Sequence, residues 1–134
     1  MIGIRTAASC LLLTLCCMAG ADEKVISIEE VMKEAHNGPK SILTQLNKQL
    51  RTGEPDWIAI EKNTNRLLIL AMALGKNEPP KGEKASWTKL TKQYLGNAKK
   101  LNQEVADHDK AAAIATRAKL GGSCTACHRL HRPM

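Results

Sequence analysis

Phenylalanine is missing from the 134-residue chain, and Trp57, Trp87 and Tyr94 are its only large aromatics, 2% of the total. A core filled by stacked rings is thereby excluded, and with it the nucleic-acid surface in which basic residues alternate with aromatic faces. Hydrophobic residues still amount to 43%, so the interior must be built from Leu, Ile, Val and Ala, which suits helices packed without rings. Cysteine is scarce where a folded domain would use it. Of five, Cys10, Cys16 and Cys17 fall within the first seventeen residues, and only Cys124 and Cys127 lie beyond. The two Cys pairs of a common structural zinc site are therefore lacking. No apolar run reaches the ~20 residues needed to span a bilayer, and there is neither strand-like alternation nor an internal repeat.

The apolar run that does exist is Thr6 to Met18, preceded by a single charge, Arg5, and followed by Ala19-Gly20-Ala21 before Asp22. That order matches a secretory signal peptide with a small-residue cleavage site, so residues 1–21 are expected to be removed and 22–134 to form one domain. An uncleaved anchor and a lipidated N-terminus at Cys16 or Cys17 are the weaker alternatives. Cleavage leaves 19 Lys and Arg against 13 Asp and Glu, since Arg5 is the one charge lost from the whole chain's +7. A basic surface suits an acidic protein partner or an anionic membrane face; a solvated surface accounts for it equally well.

Four helices are predicted. Ser27-Ile28-Glu29-Glu30 has capping-box spacing, and Ile28, Val31, Met32 and Ala35 continue it with helical period. Asn37-Gly38-Pro39 must interrupt that helix, but the stripe resumes at Ile42, Leu43, Leu46 and Leu50, which predicts one kinked or two-piece helix ending near Gly53. Pro55-Asp56 opens the second helix, with Trp57, Ile60, Thr64, Leu67, Leu68, Ala71 and Leu74 inward and Gly75 as its stop. After Pro79-Pro80 and Gly82, the third runs from about Ala85 to His108, with Trp87, Leu90, Tyr94, Leu95, Ala98, Leu101 and Val105 inward. The fourth starts at Asp109 and is expected to continue through Gly121-Gly122, despite about 1 kcal/mol per Gly against it, to the end of the chain. The expected fold is all-α, an antiparallel four-helix bundle.

Cys124-Thr125-Ala126-Cys127-His128 lies on that last helix. C-x-x-C-H is the pattern for covalent attachment of a c-type haem. On a helix, positions i, i+3 and i+4 project within one sector about 100° wide, so Cys124 and Cys127 are expected to form thioethers to one haem while His128 supplies the proximal iron ligand. A bound haem would also supply apolar volume that the missing rings do not. The competing uses of the same residues are a disulfide, a thioredoxin-like pair without its βαβ context, or a metal site supplemented by His131. His108 and His131 are read as surface residues, His131 being placed one turn past His128 to cover a haem edge. No nucleophile-and-base arrangement or second cofactor motif points to an enzyme.

Placed near the C-terminus, Cys124, Cys127 and His128 make the chain resemble the class II cytochromes c, the cytochrome c-prime group and its low-spin relatives. The stretches Asn77 to Trp87 and Val31 to His36 are similar to a subgroup of exported bacterial cytochromes of that architecture. The resemblance implies one covalent haem c, a four-helix bundle, a periplasmic or exported location, redox protein partners and pairing into a homodimer. It also implies a distal ligand on the first helix, at Met32; His36, four residues on and on the same face, is the alternative. Where class II proteins often carry an Arg four residues before the distal position, this chain has Ile28. A His/Met iron has a raised potential and a bis-His iron a lower one; either suits a one-electron carrier. Two rivals remain: a five-coordinate haem protein binding nitric oxide or carbon monoxide, and a non-haem metal or thiol-disulfide module.

Overall fold

Local hydrogen bonding sets where each helix begins. Ser27 Oγ accepts from the Glu30 amide at 3.2 Å while a Glu30 carboxylate oxygen accepts from the Ser27 amide at 2.9 Å, closing the expected capping box. Asp56 and Asp109 cap later helices by accepting from the amides of Ala59 and Ala112. The computed structural model describes residues 24–133, and all the regular structure among them is helical: α1 (Ile28–Ala35), α2 (Ile42–Leu50), α3 (Trp57–Lys76), α4 (Lys84–Ala106), α5 (Lys110–Gly122) and α6 (Cys124–His131). The expected signal peptide, residues 1–21, lies outside the described residues.

The interruption between α1 and α2 falls at Asn37-Gly38-Pro39 as predicted. Gly38 takes φ +83°, and the amides of His36 and Asn37 both donate to the carbonyl of Met32 at 3.0 Å, closing off α1 just before the proline. α3 does not stop at Gly75; it runs one residue further, and the extended backbone of Asn77 ends it.

α3 packs chiefly on α4 and α4 on α5, α2 bridges α3 and α5, α1 rests on α3, and α6 touches α4 and α5. The shared core is aliphatic: Val31, Leu46, Ile60, Leu67, Leu70, Leu101 and Leu120 are fully buried, with Trp87 and Tyr94 at its margins. Burial of each such Leu or Ile is worth about 1.5–3 kcal/mol. Among the described residues no helix is long and apolar enough to cross a membrane.

Two further expectations need correction. The last helix is not assigned as continuous, because Ser123 divides α5 from α6. Its backbone nevertheless keeps helical dihedrals (φ −71°, ψ −18°), and its amide and carbonyl bond to Lys119 and Cys127, so the chain continues in much the same course. Neither Gly121 nor Gly122 is pressed against a neighbouring helix: a Cβ at Gly122 would meet nothing within 4 Å, and one at Gly121 only the tip of Arg117.

His131 is the other correction: it is 2% exposed rather than a surface residue. Its Nδ1 lies 2.7 Å from the Lys81 carbonyl, its Nε2 lies 3.0 Å from Ser86 Oγ, and its ring meets Trp87 edge-on at 5.3 Å. A carbonyl can only accept, so Nδ1 carries a proton. Trp87 in turn donates to the Asn77 carbonyl at 2.7 Å, and the Asn77 side-chain amide donates to the carbonyls of Ala73 and Ile26. This latch fastens the end of α6 to the connection between α3 and α4. His108 is exposed as expected, with its ring stacked on Trp57 at 4.7 Å.

Candidate functional site

α6 is a two-turn helix, and its geometry sets the three motif residues on adjoining positions of one face. Cys124 and Cys127 are both free thiols and half-buried, whereas His128 is exposed. Cys127 packs against the aliphatic core, and that burial, then the neighbouring Cys124, pushes its thiol pKa up. An apolar, protonated thiol beside an accessible imidazole is a donor set that fits covalent attachment of a haem: two sulfurs free to bond and one ring free to reach iron.

Facing this helix is the C-terminal end of α1. His36 Nδ1 lies 3.9 Å from Cys124 Sγ, and its Nε2 lies 3.0 Å from the hydroxyl of Tyr94 on α4. The two rings are tilted at 47° with centroids 5.6 Å apart. Burial, and then the proximity of His128, lowers the His36 pKa, so its neutral form is favoured. Tyr94 is 6% exposed, and burial holds its phenol protonated well beyond the ordinary range, with Cys124 adding to the effect. Arg117 on α5 also lies within electrostatic reach of Cys124, and its guanidinium donates twice to the Leu43 carbonyl, at 3.0 and 3.1 Å.

The fold therefore gathers Cys124, Cys127, His128 and His36 from opposite ends of the sequence. Met32, the distal ligand that the resemblance implies, is half-buried one turn before His36 and packs on the same core as Cys127. Tyr94 is the site residue that sequence reasoning passed over, having been assigned to the inner stripe of its helix as an apolar ring. The overlooked signal was chemical: a phenol on a buried stripe must find a partner for its hydroxyl. A cleft of about 630 Å³ lies elsewhere, between α1, the turn before α2 and Arg66, and none of the motif residues lines it. Among the described residues, no three His, Cys, Asp or Glu side chains converge to hold a metal ion. The chain matches no protein-family model, no curated protein and no solved structure.

Proposed function

We propose that this chain is an exported c-type monohaem cytochrome that carries single electrons. Its fold in this reading is the antiparallel four-helix bundle of the class II cytochromes c, with α1 and α2 forming the first helix in two pieces and α5 with α6 forming the fourth. One observation carries the proposal: two free thiols and an accessible imidazole stand on one face of α6, opposite the helix that bears Met32 and His36.

Cys124 and Cys127 would hold a haem c by thioether bonds and His128 would ligate its iron. When bound, that group supplies a one-electron iron couple. The protein's part is to keep the site dry and the ligands still. The aliphatic core under Cys127 excludes water from one side, and the latch at His131 fixes the helix that carries His128. Met32 is the favoured distal ligand and His36 the alternative. A carrier needs no substrate pocket, which agrees with a site built from packed helices.

Absorption spectra of the exported, purified protein, oxidised and reduced, with carbon monoxide added to the reduced form, test the proposal. Low-spin bands unmoved by carbon monoxide are expected. A high-spin spectrum that shifts promptly with the gas would transfer the function to gas binding, and absence of covalent haem would leave a thiol or metal module.

A further inference from the structure

The site contains a second imidazole whose two nitrogens are already occupied, and the way they are occupied bears on what it can do. Tyr94 has a protonated phenol whose hydroxyl meets His36 and no other hydrogen-bond partner among the described residues. If its O–H donates to Nε2, the proton of the neutral ring sits on Nδ1, which faces Cys124 Sγ. That tautomer satisfies all three groups. It also survives thioether formation, because a thioether sulfur has no hydrogen and can only accept. In this arrangement neither His36 nitrogen has a free lone pair: one is taken by the phenol and the other carries the proton.

On the reading that Cys124, Cys127 and His128 hold a haem, we infer that Tyr94 is a positioning residue that keeps His36 off the iron and leaves the sixth coordination position to Met32. For His36 to ligate, Nε2 must leave the Tyr94 hydroxyl, and a phenol buried against the core then has no partner. Met32 is a thioether with nothing comparable to give up, one turn earlier on the same helix. Tyr94 thus selects between two ligands that helical spacing alone makes equivalent.

Two variants of the haem-loaded protein test this. Tyr94→Phe keeps the ring that fills the core and removes only the hydroxyl. The wild type should show the near-infrared methionine-to-ferric band, and Tyr94→Phe should lose it, remain low-spin and shift to a lower potential as His36 binds. Met32→Leu, with Tyr94 intact, should become high-spin and take up carbon monoxide promptly, because His36 stays held; this arm is readable even if Tyr94→Phe does not fold. An unchanged spectrum in Tyr94→Phe, or a bis-His spectrum in Met32→Leu, overturns the inference. A wild type with covalent haem but without the methionine band overturns it while sparing the haem reading. A wild type without covalent haem removes both.

Discussion

Two residues show how much a single atom decides here. Gly82 takes φ +81°, and a Cβ added there would stand 2.6 Å from the Leu130 carbonyl and 3.1 Å from His131 Nδ1. The backbone oxygen cannot swing aside, so Gly82→Ala must move α6 away from the latch or strain the loop. A left-handed conformation alone costs a non-glycine residue about 1–2 kcal/mol, and losing the His131 hydrogen bonds adds about 1 kcal/mol each. Thermal unfolding of Gly82→Ala should therefore begin well below that of the wild type, by about 4 °C per kcal/mol for a domain of this size. His36 carries a second expectation. Its folded pKa lies below the unfolded value of about 6.5, so the unfolded chain binds the extra proton first. Stability is full above that value and falls as the pH drops through it towards the folded pKa, by at most about 1.4 kcal/mol per pH unit. Urea midpoints measured between about pH 7.5 and 5.5 should fall for the wild type and stay flatter for His36→Gln, which does not titrate. Glu30 and Glu34, held below the usual carboxylate range by Ser27 and by Arg66, add their losses only in more acidic solution.

At the scale of elements, the two glycines that close α5 pose the opposite case to Gly82. Gly122 is exposed, its negative φ suits any residue, and the space beside it is empty. Gly122→Ala should stabilise the protein by up to about 1 kcal/mol through helix propensity, read as a higher urea midpoint. A lower midpoint in the haem-loaded protein would mean that the cofactor lies against that backbone. Most of the helical layout was legible in the sequence because its signals are local. Ser27, Asp56 and Asp109 are caps, Asn37-Gly38-Pro39 is a break, and the aliphatic stripes have a period near 3.6 residues. That Cys124, Cys127 and His128 share one helix face was legible for the same reason, since it follows from their mutual spacing on α6. What escaped depends on distance in sequence. His131 looked like a surface residue one turn past His128 on the fourth helix, and only contact with Lys81 and Ser86, some fifty residues earlier, buries it. Tyr94 and His36 are 58 residues apart, and no periodicity in either helix announces the hydrogen bond between them.

For the molecule as a whole, charge is distributed unevenly along the fold. From Lys24 to Glu83 nine Lys and Arg face eight Asp and Glu, so α1 to α3 are nearly balanced; from Lys84 to Arg132 there are ten against three. Lys84, Lys89, Lys92, Lys99 and Lys100 are exposed on α4, and from Lys110 to Pro133, the stretch that carries α5 and α6, there is no acidic residue. Positive charge is therefore concentrated on α4 to α6, and α6 is the helix that contains Cys124, Cys127 and His128. Isolated surface pairs contribute little to stability, and a field of one sign acts instead on encounter, raising association rates with an oppositely charged partner and fading as salt screens it over about 10 Å at 0.1 M. For the electron carrier proposed above, this predicts faster exchange with acidic proteins than with basic ones. Stopped-flow reduction by a small acidic redox protein should slow steeply as ionic strength rises. Reversing Lys89, Lys92 and Lys99 to Glu should slow it at low salt and flatten that dependence, while reversing Lys33, Lys48 and Lys62, equally exposed on α1 to α3, should do much less. Equal sensitivity to the two sets would show that net charge alone, rather than its concentration on α4 to α6, governs the approach of the partner.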